Sequence, residues 1–98
     1  LGPDDRALAE GLHEIVSEVA PALMPKTYYG MPGYANADGK IVVFLQPAGK
    51  FKTRYSTVGF EGTAALDDGD MWPTAFALLK LTPATKKRLT ELVKKAVG

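Results

Sequence analysis

The chain has 98 residues and a mass of 10.5 kDa, enough for one domain spanning 1–98 around a modest core. The absence of cysteine excludes disulfides, thiolate catalysis and Cys-based zinc or iron–sulfur sites, and a formal charge of +1 is too near neutral for a dedicated nucleic-acid binder. No apolar run approaches the ~20 residues of a membrane span and the start carries no basic-then-apolar leader, so a cytoplasmic α+β domain without a membrane partner is expected. Leu1 stands where a start Met would, as in a trimmed chain.

Asp4 to about Met24 reads as a helix whose regular part ends near Ala20, because Leu8, Leu12, Ile15, Val16 and Val19 recur on one stripe and Pro21 and Pro25 close the exit. Lys26 to Ala35 reads as one edge or bulged strand, since Tyr28 and Tyr29 favour extension while Gly30, Pro32 and Gly33 disturb it. Asn36-Ala-Asp-Gly39 is a tight-turn signal. The unbroken apolar run Ile41–Leu45 then predicts a central strand covered on both faces. After a turn at Pro47-Ala-Gly49, Lys50–Phe60 alternates: Phe51, Thr53, Tyr55 and Thr57 face one way, Lys50, Lys52, Arg54 and Ser56 the other. Glu61–Asp70 is turn-rich, with Ala64–Leu66 as a further short strand. Pro73 then opens a two-turn helix through Phe76, Leu78 and Leu79, and Thr82-Pro83 caps a last helix that turns Leu89, Leu92, Val93 and Ala96 inward. These elements make a two-layer α+β sandwich, with the N- and C-terminal helices on an antiparallel sheet.

Charge is uneven along this plan. Residues 1–25 balance at −4, with five acids against Arg6; residues 80–98 balance at +5, with six bases against Glu91. Three clusters could carry chemistry. Glu10, Glu14 and Glu18, at i, i+4 and i+8 with His13 on the flank, align carboxylates as a weak site for a hard or borderline cation such as Fe²⁺ or Mn²⁺. The ordinary reading of such a row is a solvated helix face. Lys50, Lys52 and Arg54 form a basic row on a strand face where a small anion could lie, although lysines also guard sheet edges. The run Tyr28 to Tyr34, with Met71-Trp-Pro73 as a wall, could line a small-molecule pocket through Tyr34, or close the core at a kinked strand. Nothing forms a Ser/His/Asp arrangement or a phosphate-cradling glycine loop, and Asp67, Asp68 and Asp70 lack the spacing of a calcium loop. If both long helices cover one face of the sheet, the other face needs a loop, the short helix or a second copy, so a homodimer through the sheet stays open.

Tyr29-Gly-Met-Pro-Gly-Tyr34, Gly39-Lys40 before an apolar strand, Lys50-Phe-Lys-Thr-Arg-Tyr55, Gly69-Asp-Met-Trp-Pro73 and the C-terminal Leu-Val-Lys-Lys-Ala-Val run resemble the YdhG-like domain family of unknown function. The resemblance spans nearly the whole chain, and the Gly-Met-Pro-x-Tyr segment is its most specific part. It implies a frataxin-like fold and, for some members, an iron-binding or iron-chaperone role. In frataxins an acidic ridge on the first helix holds iron; Glu10, Glu14 and Glu18 are the positions here that could imitate it, though the last helix beside them carries +5. The expected function is a non-enzymatic binding module that requires no cofactor and binds Fe²⁺ weakly. The alternative is a small-anion-binding domain, or an unrecognised enzyme, using Tyr34, Lys50, Lys52 and Arg54.

Overall fold

The computed structural model describes residues 2–98. Pro3 opens helix α1 (Pro3–Val19), where its missing N–H costs nothing, and Asp4 and Asp5 set negative charge in the first turn. Leu8, Leu12, Ile15 and Val16 are buried along the expected stripe. The Ala20 N–H still donates to the Val16 carbonyl before Pro21 ends the run.

The stretch expected to be one kinked strand is a hairpin. Strands β1 (Met24–Tyr28) and β2 (Met31–Ala35) pair antiparallel, with Tyr28 opposite Met31. Between them Tyr29 and Gly30 have φ of 51° and 77°, the sign pattern of a type I′ turn, whose twist suits two flanking strands. Gly30 takes this conformation without a steric penalty, and Tyr29 takes it with its ring in solvent. The Asn36–Gly39 turn forms as its sequence predicts: Asn36 Oδ1 accepts the Asp38 and Lys40 N–H groups, and Gly39 has φ of 78°. It leads into β3 (Ile41–Gln46), the central strand, in which all but the half-buried Phe44 and Gln46 are buried.

Two further expectations are corrected. Lys50–Phe60 is not one alternating strand: its first part is a single helical turn, α2 (Ala48–Phe51), closed by Lys52 at φ 54°, and only Ser56–Phe60 forms β4. The free N–H groups of that turn find distant side chains, Ser56 Oγ accepting from Ala48 and Asp5 Oδ1 from Gly49, which secure a helix too short to form alone. The helix expected after Pro73 is a strand, β5 (Ala75–Leu78), paired with β4 from Ser56–Leu78 to Gly59–Ala75. An open β4 edge offers this segment a full ladder, and the period-two pattern Ala-Phe-Ala-Leu fits it with Phe76 and Leu78 toward the core. Ala64–Leu66 makes no strand, although Ala64 and Leu66 are buried and the Ala65 N–H reaches the Ala96 carbonyl.

The sheet is thus a five-stranded antiparallel meander in the order β1-β2-β3-β4-β5. The last helix, α3 (Pro83–Ala96), starts at a reciprocal Thr82–Thr85 cap with Pro83 in the first turn, as expected. α1 and α3 pack together over the side chains of Tyr34, Val43, Leu45, Val58 and Phe60, giving the expected two-layer α+β arrangement. On the opposite face the Phe44 ring lies across Gly59, where a Cβ would stand 2.2 Å from its ring carbon, and packs on Tyr28 at 5.2 Å.

Candidate functional site

The acidic row lies where helical spacing puts it. Glu10, Glu14 and Glu18 are all exposed on α1. Because α3 packs beside α1, its Lys86 Nζ comes to 3.7 Å from Glu14 Oε1. His13 turns away from the carboxylates: its Nδ1 stands 3.1 Å from the Tyr34 hydroxyl, a hydrogen bond whose direction depends on the imidazole tautomer. Among the described residues no three His, Asp or Glu side chains converge as a metal site would require.

A different arrangement forms where α1 begins. Asp5, only 7 % exposed, accepts the Gly49 N–H at 3.3 Å and so ties α1 to α2. The approach is close: a Cβ on residue 49 would come within 2.6 Å of Asp5 Oδ2 and push the carboxylate aside. From α2, Lys50 reaches across and donates to the Gly30 carbonyl in the β1–β2 turn. The helix start, α2 and the turn thereby frame one end of the sheet. Between them opens a solvent-accessible groove of about 1200 Å³. Its apolar lining includes Pro3, Leu8, Met31, Pro32, Tyr34, Tyr55 and Leu78; its charged lining is Lys26, Lys50 and Arg54 with Asp4 and Asp5.

The structure changes how the predicted basic row is placed. Lys50 lies in α2, Lys52 is the exposed left-handed residue that ends it, and Arg54 follows in the loop, its guanidinium 5.1 Å from the Tyr55 ring centre. No strand face carries them, because the chain between Ala48 and Tyr55 turns instead of extending. Tyr34, Lys50 and Arg54 nevertheless line the same groove, and Lys52 does not. The expected wall of Met71 and Trp72 is elsewhere: Met71 is 89 % exposed, and Trp72 packs at the margin of the core. Lys26, Asp5 and Tyr55 belong to the groove and escaped sequence reasoning.

Two tyrosines have perturbed acidity. Burial pushes the Tyr34 phenol above its ordinary value of 10.0. Tyr28 donates its hydroxyl proton to Glu61 Oε2 at 3.0 Å, and that bond, with some burial and the charge of Glu61, also raises its pKa. Both phenols are therefore neutral hydrogen-bonding groups at physiological pH. No family model, no curated protein and no solved structure matches this chain.

Proposed function

We propose that the chain is a non-enzymatic binding module that takes a small anion with an apolar body into the groove at the start of α1. The observation that carries this reading is the convergence of Lys26, Lys50 and Arg54 on one cavity lined by Leu8, Met31 and Leu78; Tyr34 borders it but is 4 % exposed, with its hydroxyl held by His13. Small-molecule sites combine such an apolar lining with a few placed polar groups. Of the five charged residues in the lining, three are cationic; the Asp5 carboxylate is engaged by Gly49, and Lys26 and Lys50 each donate to a backbone carbonyl but keep further ammonium donors for a ligand. A binding role is preferred to catalysis because His13, bonded to Tyr34, does not line the groove, so Ser56 has no imidazole base beside it there. Fe²⁺ on Glu10, Glu14 and Glu18 is the competing reading; their exposure favours it, while Lys86 beside Glu14 works against a cation.

Calorimetric titration separates the two. Phenyl phosphate should bind more tightly than inorganic phosphate, which lacks the apolar body, and than benzyl alcohol, which lacks the charge. Arg54→Ala should weaken phenyl phosphate about tenfold, the effect of one charge-assisted contact of ~1.4 kcal/mol. A triple Glu10→Gln, Glu14→Gln, Glu18→Gln variant should bind it as the wild type does. Equal phenyl phosphate affinity in wild type and Arg54→Ala would refute the groove reading. An Fe²⁺ heat present in the wild type and lost in the triple variant would establish the competing one.

A further inference from the structure

The two edges of the sheet differ in a way the groove does not explain. Edge strand β1 carries Pro25, which has no N–H to offer a new neighbour, and Lys26, a charge that discourages pairing. Edge strand β5 is Ala-Phe-Ala-Leu, with no proline and no charge. The Phe60 N–H donates to the Thr74 carbonyl at 2.7 Å, which sets the alternation along this strand: Thr74, Phe76 and Leu78 turn their backbone groups toward β4, while those of Ala75 and Ala77 point outward. Both alanines are exposed, and their methyl groups are too small to cover the outward N–H and C=O groups.

We infer that this edge pairs with the same edge of a second copy of the chain. Charge selects the occupant and its direction. The segment entering β5 carries Asp67, Asp68 and Asp70, and the segment leaving it carries Lys80. An antiparallel, two-fold pairing brings the acidic end of each copy to the basic end of the other, twice by symmetry. A parallel pairing would set like charges together. In the two-fold register the outward groups of Ala75 meet those of Ala77 of the second copy, Phe76 lies opposite its own counterpart, and the two sheets become one. The strand is short, so the dimer is weak and forms as concentration rises. This inference is independent of the proposed ligand and adds a partner the groove does not require.

Sedimentation velocity on the whole chain from about 10 µM to about 1 mM tests it. The wild type should pass from monomer toward dimer across that range, and added salt should weaken the association. Ala77→Pro deletes an outward N–H and no bond to β4, so it should stay monomeric with its melting temperature nearly unchanged. Lys80→Glu, which leaves the backbone intact, should weaken dimerisation severalfold, and Asp70→Lys added to Lys80→Glu should restore it. A wild type that remains monomeric at about 1 mM overturns the inference. So does a folded Ala77→Pro, or a Lys80→Glu, that dimerises like the wild type, since association would then use another surface.

Discussion

Helix α1 carries acids in two settings. Asp5 at its first turn is buried and holds a backbone N–H from a residue 44 positions away, whereas Glu10, Glu14 and Glu18 further along stand in water. The same chemical group is a structural latch in one place and a solvated surface in the other. Burial and a specific partner make the difference, and the residue type alone does not reveal it. The helix start therefore shapes a groove, while the outer face keeps its acids apart and lends one to a lysine of α3.

Substitutions along α1 sharpen that contrast. Asp5→Ala should cost about 1–3 kcal/mol in urea denaturation, because the Gly49 N–H loses its acceptor in a half-buried setting. A cost below that of any single outer-face Glu→Gln change would break the distinction. Lys50→Met, which removes the bridge from α2 to the Gly30 carbonyl, should cost ~0.5–1.5 kcal/mol and speed amide exchange in the β1–β2 turn. Unaltered exchange there would show that the bridge does not frame the groove.

Both raised phenols, Tyr34 and Tyr28, make stability fall at alkaline pH, and Tyr34 tests the buried case. Its phenol holds its proton to a higher pH in the folded chain than the 10.0 of an ordinary tyrosine. Between those two values the folded state binds more protons, so stability is complete below about pH 10 and declines as pH rises through the folded value. Melting temperature should accordingly drop above about pH 10, less steeply in Tyr34→Phe; parallel curves for both proteins would contradict the burial of that phenol. The smallest effect belongs to the outer face. Glu14→Gln, which breaks a 3.7 Å pair between exposed side chains, should change stability by under ~0.5 kcal/mol. A larger loss would mean that this row is more than a solvated surface.

Local pattern made much of this fold readable. The stripe of α1, the central position of β3, the Asn36–Gly39 turn and the Thr82-Pro83 start of α3 each depend on residues within one element. The parts that were misread depend on distant partners. Phe51, Thr53 and Tyr55 alternate with cations as a strand would, yet Asp5 and Ser56 cap the turn that replaces it. Pro73 suits a helix start, yet the open β4 edge takes Ala75–Leu78 as a strand. Tyr29-Gly30 carried a turn signal that the neighbouring Pro32 and Gly33 obscured. The groove was half legible for the same reason: Tyr34, Lys50 and Arg54 stood out by type, but their convergence, and the exclusion of Lys52, follow from the turn at α2.

Amide chemical-shift mapping with phenyl phosphate on the wild-type chain tests the groove most directly. The largest shifts should fall on Met31, Lys50, Arg54 and Tyr55, with the amides from Glu10 to Glu18 unmoved. Shifts concentrated instead on the α3 lysines from Lys86 to Lys95, or none at saturating ligand, would contradict it.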